Sequence, residues 1–324
     1  MDFKAFLKGI EKYSSIAITA PTPPDGDSVG TQCALLELIE TLHPQKKVFI
    51  VNEESCPQKY IFLKGSDKFI QAQDFKEKVE LWICVDGGPN RLGDATTKHW
   101  ETAKAHGLID HHAVGTEDHF EISLYDPTAA STTVLVYKLW EESRTKLTHT
   151  LAEALYVGLI YDTGVFKHPN TTPEVMRIGA KLLETGFAHT DTVEKSLLMR
   201  TEANIHMLKS LLEHFKVEFS KRWVWSKVDH TAFKSSQGSS QDKDGLIDFL
   251  FLIPQCEIAI LFFEAKPDLW KLSFRSRSWD VANLAKSLNP QGGGHKLASG
   301  CTLEGNFDTV YSTTQKAVQK LLHD

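Results

Sequence analysis

"SIAITAPTPPDGDSVGTQCALLELIETLH" occupies residues 15–43, and its reading decides the fold. "SIAITA" (15–20) reads as a strand, and "DSVGTQCALLELIETLH" (27–43) as a helix whose apolar residues recur at helical spacing. Prolines separate the two, followed by Asp25 and Asp27 on either side of one glycine. A strand that hands over to a helix in this way opens a βαβ unit. In an open parallel sheet, the turn beyond a strand's carboxyl end is where ligands bind.

The chain repeats the pattern. "KKVFIVN" (46–52), "LWICVD" (81–86) and "HGLID" (106–110) are continuous apolar runs, as strands covered on both faces require. "STTVLVYKLWEE" (131–142) and "LAEALYVGLIYDTG" (151–164) read as helices. The expectation is an α/β domain over residues 1–190, built on a doubly wound parallel sheet. "TDTVEKSLLMRTEANIHMLKSLLEHF" (190–215) reads as a long helical connection, with the linker itself placed at 191–214. The pattern then changes. "KVEFSKRWVWSKV" (216–228) alternates as one strand carrying Phe219, Trp223 and Trp225, and "CEIAILFFEA" and "LWKLSFRSR" read as paired strands. A smaller α+β domain is expected over 215–324, with the active site in the cleft between the two.

Composition bounds the function. A chain of 324 residues with 41% hydrophobic and 24% charged content suits two ordinary globular domains. The net charge of −6 provides no field for gripping long nucleic acid. No apolar run is long enough to cross a bilayer, and the N-terminus lacks a signal-peptide core. The five cysteines are scattered without a CxxC pair, which favours a reducing cytoplasm over a disulfide framework or a structural zinc. His43, His99, His119 and His149 read as surface residues.

The polar residues at element ends carry the chemistry. Asp25 and Asp27 follow the first strand, Asp86 follows "LWICV", Asp110, His111 and His112 follow "HGLI", and Asp162 closes a helix. Gathered at one sheet edge, these carboxylates would repel one another and bind protons more tightly. Divalent cations relieve that repulsion, and oxygen with imidazole donors suits Mn²⁺ or Mg²⁺. Two such ions bridged by one carboxylate make a phosphoryl-transfer site. Arg91 lies near by sequence, as either a turn charge or a phosphate contact. Towards the C-terminus, Gly292, Gly293 and Gly294 permit close approach of an anion to the backbone. Arg275 offers a planar fork, Ser276 a hydroxyl, and His295 a donor or a stacking face.

"PDGDSVG" (24–30), "VDGGPNRLG" (85–93), "LIDHHAVG" (108–115) and "YVGLIYDTGVF" (156–166), in this order, resemble the four motifs of the DHH-family phosphoesterases. "DPTAASTTVLVYKLW" (126–140) matches the same domain, and "KLSFRSRSWDVANLAKSLNPQGGGHKLASG" (271–300) resembles the DHH-associated domain. The combination is similar to the branch acting on very short RNA (nanoRNase) and on 3′-phosphoadenosine 5′-phosphate (pAp). The resemblance implies a metal-dependent phosphoesterase in which Asp25 and Asp86 hold one Mn²⁺. Asp27, Asp86, His111 and Asp162 would hold a second, His112 would face the scissile phosphate, and Asp110 would steady a histidine. Arg275, Ser276, Gly292–Gly294 and His295 would hold the nucleotide.

Pro21 departs from the family pattern, which has a histidine ligand of the first metal four residues before the first aspartate. Proline coordinates nothing, so the first site is expected to be weak. Two rival readings remain: a phosphodiesterase for cyclic dinucleotides or their linear products, and a nucleotide-binding protein with a degenerate site. The expected partner is a short oligoribonucleotide or small nucleotide, with no membrane. A homodimer is one assembly the sequence allows.

Overall fold

The computed structural model describes residues 1–112, 120–218 and 222–323; His119 and Phe219 lie outside them. It resolves into two compact units, Met1–Met199 and Arg200–Asp324.

The first unit opens with α1 (Phe3–Glu11), β1 (Ser15–Thr19), α2 (Gly26–Leu42), β2 (Lys47–Asn52) and β3 (Phe69–Gln71). β4 (Leu81–Val85), α3 (Asp94–Glu101), β5 (Ala105–Asp110) and β6 (Ile122–Tyr125) follow. Four helices complete it: α4 (Thr132–Ser143), α5 (His149–Asp162), α6 (Pro173–Leu183) and α7 (His189–Val193). Its six strands are all parallel, in the order β3-β2-β1-β4-β5-β6, the doubly wound sheet that the sequence predicts. Strand order reverses between β1 and β4. Successive chain segments therefore leave β1 and β4 in opposite directions, and a crevice opens at their carboxyl ends.

Period-two alternation distributes the core across the sheet's faces. Ile16 and Ile18 of β1, with Leu81, Ile83 and Val85 of β4, pack with α2, α4 and α5. Ala17, Trp82 and Cys84 face a smaller cluster with Phe75 and Trp100. His99 joins that side, half-buried rather than on the surface, stacked on Trp82 with ring centroids 5.8 Å apart and bonded to the Ala72 carbonyl. α2 is buried from Gly26 to Ile39, because α5 covers the face that the sheet leaves. Gly30 makes that crossing possible: a Cβ there would stand 2.5 Å from the Ala154 carbonyl oxygen on α5.

The second unit contains α8 (Glu202–His214), β7 (Lys216–Glu218), β8 (Trp223–Val228), α9 (His230–Ser235) and α10 (Leu246–Leu250). It continues with β9 (Ile258–Lys266), β10 (Leu269–Ser276), α11 (Val281–Leu288), β11 (Gly293–His295), β12 (Ala298–Glu304) and α12 (Phe307–His323). Its sheet runs β11-β12-β10-β9-β8-β7, with β8 and β9 parallel and the other pairs antiparallel. One face packs Trp223, Ile260, Phe262 and Phe274 with Val281, Val310 and Val318. The other packs Val224, Leu261 and Phe263 with Met207 and Leu211 of α8 and with Leu246 and Leu250 of α10.

Two stretches differ from the sequence expectation. Where one strand is expected, Lys216–Glu218 and Trp223–Val228 are two antiparallel strands, with Lys216 opposite Trp225 and Glu218 opposite Trp223. Reversal at a hairpin preserves the two-residue period in both arms, so alternation alone does not disclose it. The helix expected over 190–215 is divided. A π-helical turn, Glu194–Leu198, ends in extended Met199, and the Thr201 side chain then caps α8 by accepting from the Asn204 N–H.

Gly30→Ala is predicted to cost about 1–3 kcal/mol, because its methyl group meets backbone that cannot rotate away. In a unit of this size that lowers Tm by roughly 2–4 °C per kcal/mol. An unchanged midpoint in thermal unfolding would show that the α2–α5 crossing has slack.

Candidate functional site

Each acid of the first unit is positioned by backbone chemistry that its neighbours supply. Asp25 is the N-cap of α2, its Oδ1 accepting from the N–H groups of Asp27 and Ser28 at 3.0 and 3.1 Å. Asp27 stands in the first turn of α2, fully buried. Its Oδ2 accepts from the Thr132 N–H at 2.6 Å and its Oδ1 from the Thr133 N–H at 3.0 Å. These are unpaired amides at the positive end of α4, and an anion is favoured there. Gly158 leaves the space: a Cβ would come within 2.4 Å of Asp27 Oδ1.

Asp86 follows β4 with φ at 61°, a left-handed conformation uncommon outside glycine. The Ser28 hydroxyl donates to its Oδ2 at 2.6 Å and the Thr132 hydroxyl to its Oδ1 at 3.1 Å. Asp162 is the last residue of α5. Beyond it Gly164, Val165 and Phe166 are all left-handed, with φ of 56°, 57° and 63°. The carbonyl of Asp162 accepts from the Asn170 amide at 3.2 Å, which anchors the end of the helix.

His111 lies at the centre of these acids, 7% exposed. Its Nδ1 is 3.0 Å from the Ala129 carbonyl. A carbonyl can only accept, so Nδ1 carries a proton in either charge state, and it is Nε2 that gains or loses one: protonated it donates to a carboxylate, deprotonated it presents a lone pair to a cation. Nε2 stands 3.0 Å from Asp162 Oδ2, 3.7 Å from Asp86 Oδ1 and 3.8 Å from Asp27 Oδ2. His112 points its Nδ1 at Asp110 Oδ1, 2.8 Å away, and its own N–H donates to the same oxygen at 3.0 Å.

Burial and mutual repulsion raise the proton affinity of the acids. Asp86 lies well above the usual carboxylate range, first through burial and then through the charges of Asp27, Asp25 and Asp162. Burial likewise raises Asp25, where the Ser28 amide opposes the effect and Asp27 adds to it. Asp162 is pushed up to about 7 by burial and the Asp27 charge. Burial alone would lower His111, but its bond to Asp162 and the neighbouring carboxylates outweigh it and push the ring up to about 9. Donor atoms from Asp27, Asp86 and His111 lie within 4.8 Å of one another, as do those from Asp86, Asp110 and His112. Buried carboxylates held by amides and hydroxyls, with an imidazole in a fixed tautomer among them, fit a hard divalent cation. The fit is uneven: Pro21, near Asp25 in the same loop, has no donor to add.

In the second unit, Arg275 projects from β10 with its Nε 3.5 Å from Asp248 Oδ1. Lys271 and Ser273 alternate with it on the same face. Ser276, one residue further, turns to the opposite face and is 3% exposed. Its oxygen accepts from the N–H groups of Ser278 and Trp279 at 3.3 and 2.8 Å. Strand alternation directs the Ser276 side chain inward, where its oxygen accepts the amides of the turn that follows β10. Gly293, Gly294 and His295 form β11 and pair with β12 in a hairpin. Gly294 has φ at 136°, and a Cβ on Gly292 would meet the Ala285 carbonyl at 2.6 Å.

Sequence reasoning misses Ser28, Thr132 and Thr133, the hydroxyl and amide donors to Asp86 and Asp27. "STT" (131–133) ahead of an apolar helical run is the available signal, since Ser131 caps α4.

Residues 15–159 match the family model described as the DHH family, N-terminal domain. The first unit carries a DHH family domain. The whole chain is 28% identical over 310 residues to the bifunctional oligoribonuclease and PAP phosphatase NrnA of Bacillus subtilis, with 92% of each chain covered. The protein of the same name from Thermus thermophilus is 28% identical over 323 residues, covering 98% of this chain and 92% of that one. In fold, the chain is similar to an exopolyphosphatase-related protein from Bacteroides fragilis, with TM-score 0.90 and 21% identity over 99% of this chain and 97% of that one. RecJ of Thermus thermophilus, solved in complex with Mn²⁺, shares the fold at TM-score 0.58 and 13% identity, over 99% of this chain and 54% of that one. Among the described residues, no helix is long and apolar enough to cross a membrane.

The raised proton affinities predict a pH dependence in the metal-free protein. A group that binds protons more tightly when folded contributes stability at low pH, and loses it as pH rises from its unfolded value to its folded one. For Asp162 that window runs from 3.8 to about 7, and for His111 from 6.5 to about 9. The chelator-treated protein should therefore unfold at lower temperature at about pH 8.5 than at about pH 6. A divalent cation bound there would displace those protons, so added Mn²⁺ should raise Tm more at the higher pH. Asp162→Asn should flatten the metal-free profile. A Tm that holds level or climbs across this range in the wild type would contradict the electrostatic account.

Proposed function

We propose that the protein is a metal-dependent phosphoesterase that hydrolyses very short oligoribonucleotides and pAp. The observation that carries this reading is the convergence of Asp27, Asp86 and Asp162 on one nitrogen of His111, all within 3.8 Å. It occurs in a chain alignable over nine-tenths of its length with two relatives named as oligoribonuclease and PAP phosphatase.

Asp27, Asp86, His111 and Asp162 would hold one divalent cation, Mn²⁺ by preference, and Asp25 with the shared Asp86 a weaker second. Bound there, the cations would supply Lewis acidity and an activated water. The chain's own residues do the rest. Thr132 and Thr133 fix Asp27, Ser28 and Thr132 fix Asp86, and the Ala129 carbonyl fixes the tautomer of His111. Asp110 holds the His112 ring in place, where it would face the scissile phosphate or the leaving oxygen. Arg275, the backbone at Gly292–Gly294 and His295 serve as nucleotide anchors on the second unit. All five cysteines are free, which supports a reducing, cytoplasmic setting.

Pro21 favours a second reading, a nucleotide-binding protein whose weakened first site turns substrate over slowly or not at all. Turnover separates the two. With Mn²⁺, wild type should release phosphate from pAp and mononucleotides from a 5′-phosphorylated dinucleotide. Asp86→Ala should abolish both, beyond the roughly 10–100-fold that loss of a residue supporting a ligand costs. Arg275→Ala should act mainly on KM. Hydrolysis confined to cyclic dinucleotides would reassign the substrate, and nucleotide binding without hydrolysis of any of them would favour the binding protein.

A further inference from the structure

Gly87, immediately after Asp86, is held between two side chains. A Cβ on it would stand 2.6 Å from the Pro21 ring and 3.6 Å from Nη1 of Arg91, and its φ is 140°. The pyrrolidine ring and the guanidinium therefore close on the same glycine. Arg91 ends a 3₁₀ turn, Pro89–Arg91, and its carbonyl accepts from the Thr22 N–H at 3.1 Å. That bond ties the turn to the loop carrying Pro21. Arg91 is exposed, and among the described residues it has no carboxylate partner. Yet Asp86 is only five positions away in the chain, and Asp25 and Asp27 share the same crevice.

From this placement we propose that Arg91 binds the substrate's phosphate, taking a non-bridging oxygen on the side of the site where Pro21 withholds a donor from a cation. The inference rests on the phosphoesterase reading above and deepens it. A phosphate entering a crevice lined by Asp25, Asp27, Asp86 and Asp162 needs compensating positive charge. The cation held by Asp27, Asp86, His111 and Asp162 would supply part of it. On the side facing Pro21 a second ion would have Asp25 and the shared Asp86 but no donor from position 21, and an arginine beside it carries its charge at every working pH without a metal. Its planar fork matches two phosphate oxygens, or one oxygen and a water. An arginine on an unconstrained surface turn would need neither a glycine beneath its guanidinium nor a backbone bond to the loop of the site. Gly87 meets the first condition and Thr22 the second.

The test uses the full chain, adenosine 5′-monophosphate (AMP) as the probe, and saturating Mn²⁺. Calorimetry of wild type, Arg91→Ala and Arg91→Lys measures AMP and Mn²⁺ affinity, and thermal unfolding measures the fold. Arg91→Ala should weaken AMP roughly ten- to hundred-fold, as loss of a hydrogen bond to a charged group does. Arg91→Lys, which keeps the charge and loses the fork, should fall between. The tightest Mn²⁺ site and Tm should stay at their wild-type values. AMP affinity within about twofold of wild type in Arg91→Ala would overturn the proposal, and so would a loss that tracks an equal loss of Mn²⁺ affinity or of Tm. Wild type that neither binds AMP nor hydrolyses any phosphoester would overturn the phosphoesterase reading and this inference together.

Discussion

The structure of the first unit depends on a single electrostatic constraint: Asp27 is buried, and among the described residues no Lys or Arg pairs with it. Two amides at the start of α4 take that role, at 2.6 and 3.0 Å from its oxygens. The choice dictates the packing around it. α4 must present its N-terminus to α2, α5 must pass close by, and position 158 must have no side chain. The same α4 terminus supplies the Thr132 hydroxyl to Asp86, so one helix end organises two acids that follow different strands. Reversal of strand order between β1 and β4 brings those strand ends together, and the helix terminus holds what the topology delivers.

A second consequence concerns charge. The protein places more carboxyl groups at this edge than it can ionise comfortably, and Asp86 holds its proton well above the usual range. A site under such repulsion when empty gains more from a divalent ion than a relaxed site would. His111 is part of the same design. Its Nδ1 is committed to a carbonyl, so the ring turns its Nε2 towards the acids.

Much of this is legible in the sequence, for identifiable reasons. The strands β1, β4 and β5 are continuous apolar runs because helices cover both sides of them, and the polar residues of the site stand close to where each run breaks. The edge strands β3 and β6 are not legible. They have three and four residues, too few to show a period, and their neighbours in the sheet complete them. The hairpin at β7 and β8 is hidden by its own regularity. Ser276 stands next to Arg275 in the sequence but on the other face of β10, because adjacent strand residues face opposite ways. Thr132 and Thr133 escape because their contribution to the site is mostly backbone, 105 and 106 positions from Asp27, and no side-chain pattern encodes such a bond.

That separation has a kinetic meaning. The bond between Asp27 and the start of α4 closes a loop of 105 positions, and parallel strands must be threaded through crossovers before it can form. Contacts of such span are entropically expensive to reach and form slowly relative to local helices. The donors around His111 come from separate segments spread between positions 27 and 162, so a chain that has only part of its sheet has no site at all. A cation taken up there during refolding would therefore arrive late, and would report completion of the whole parallel sheet rather than of any one element.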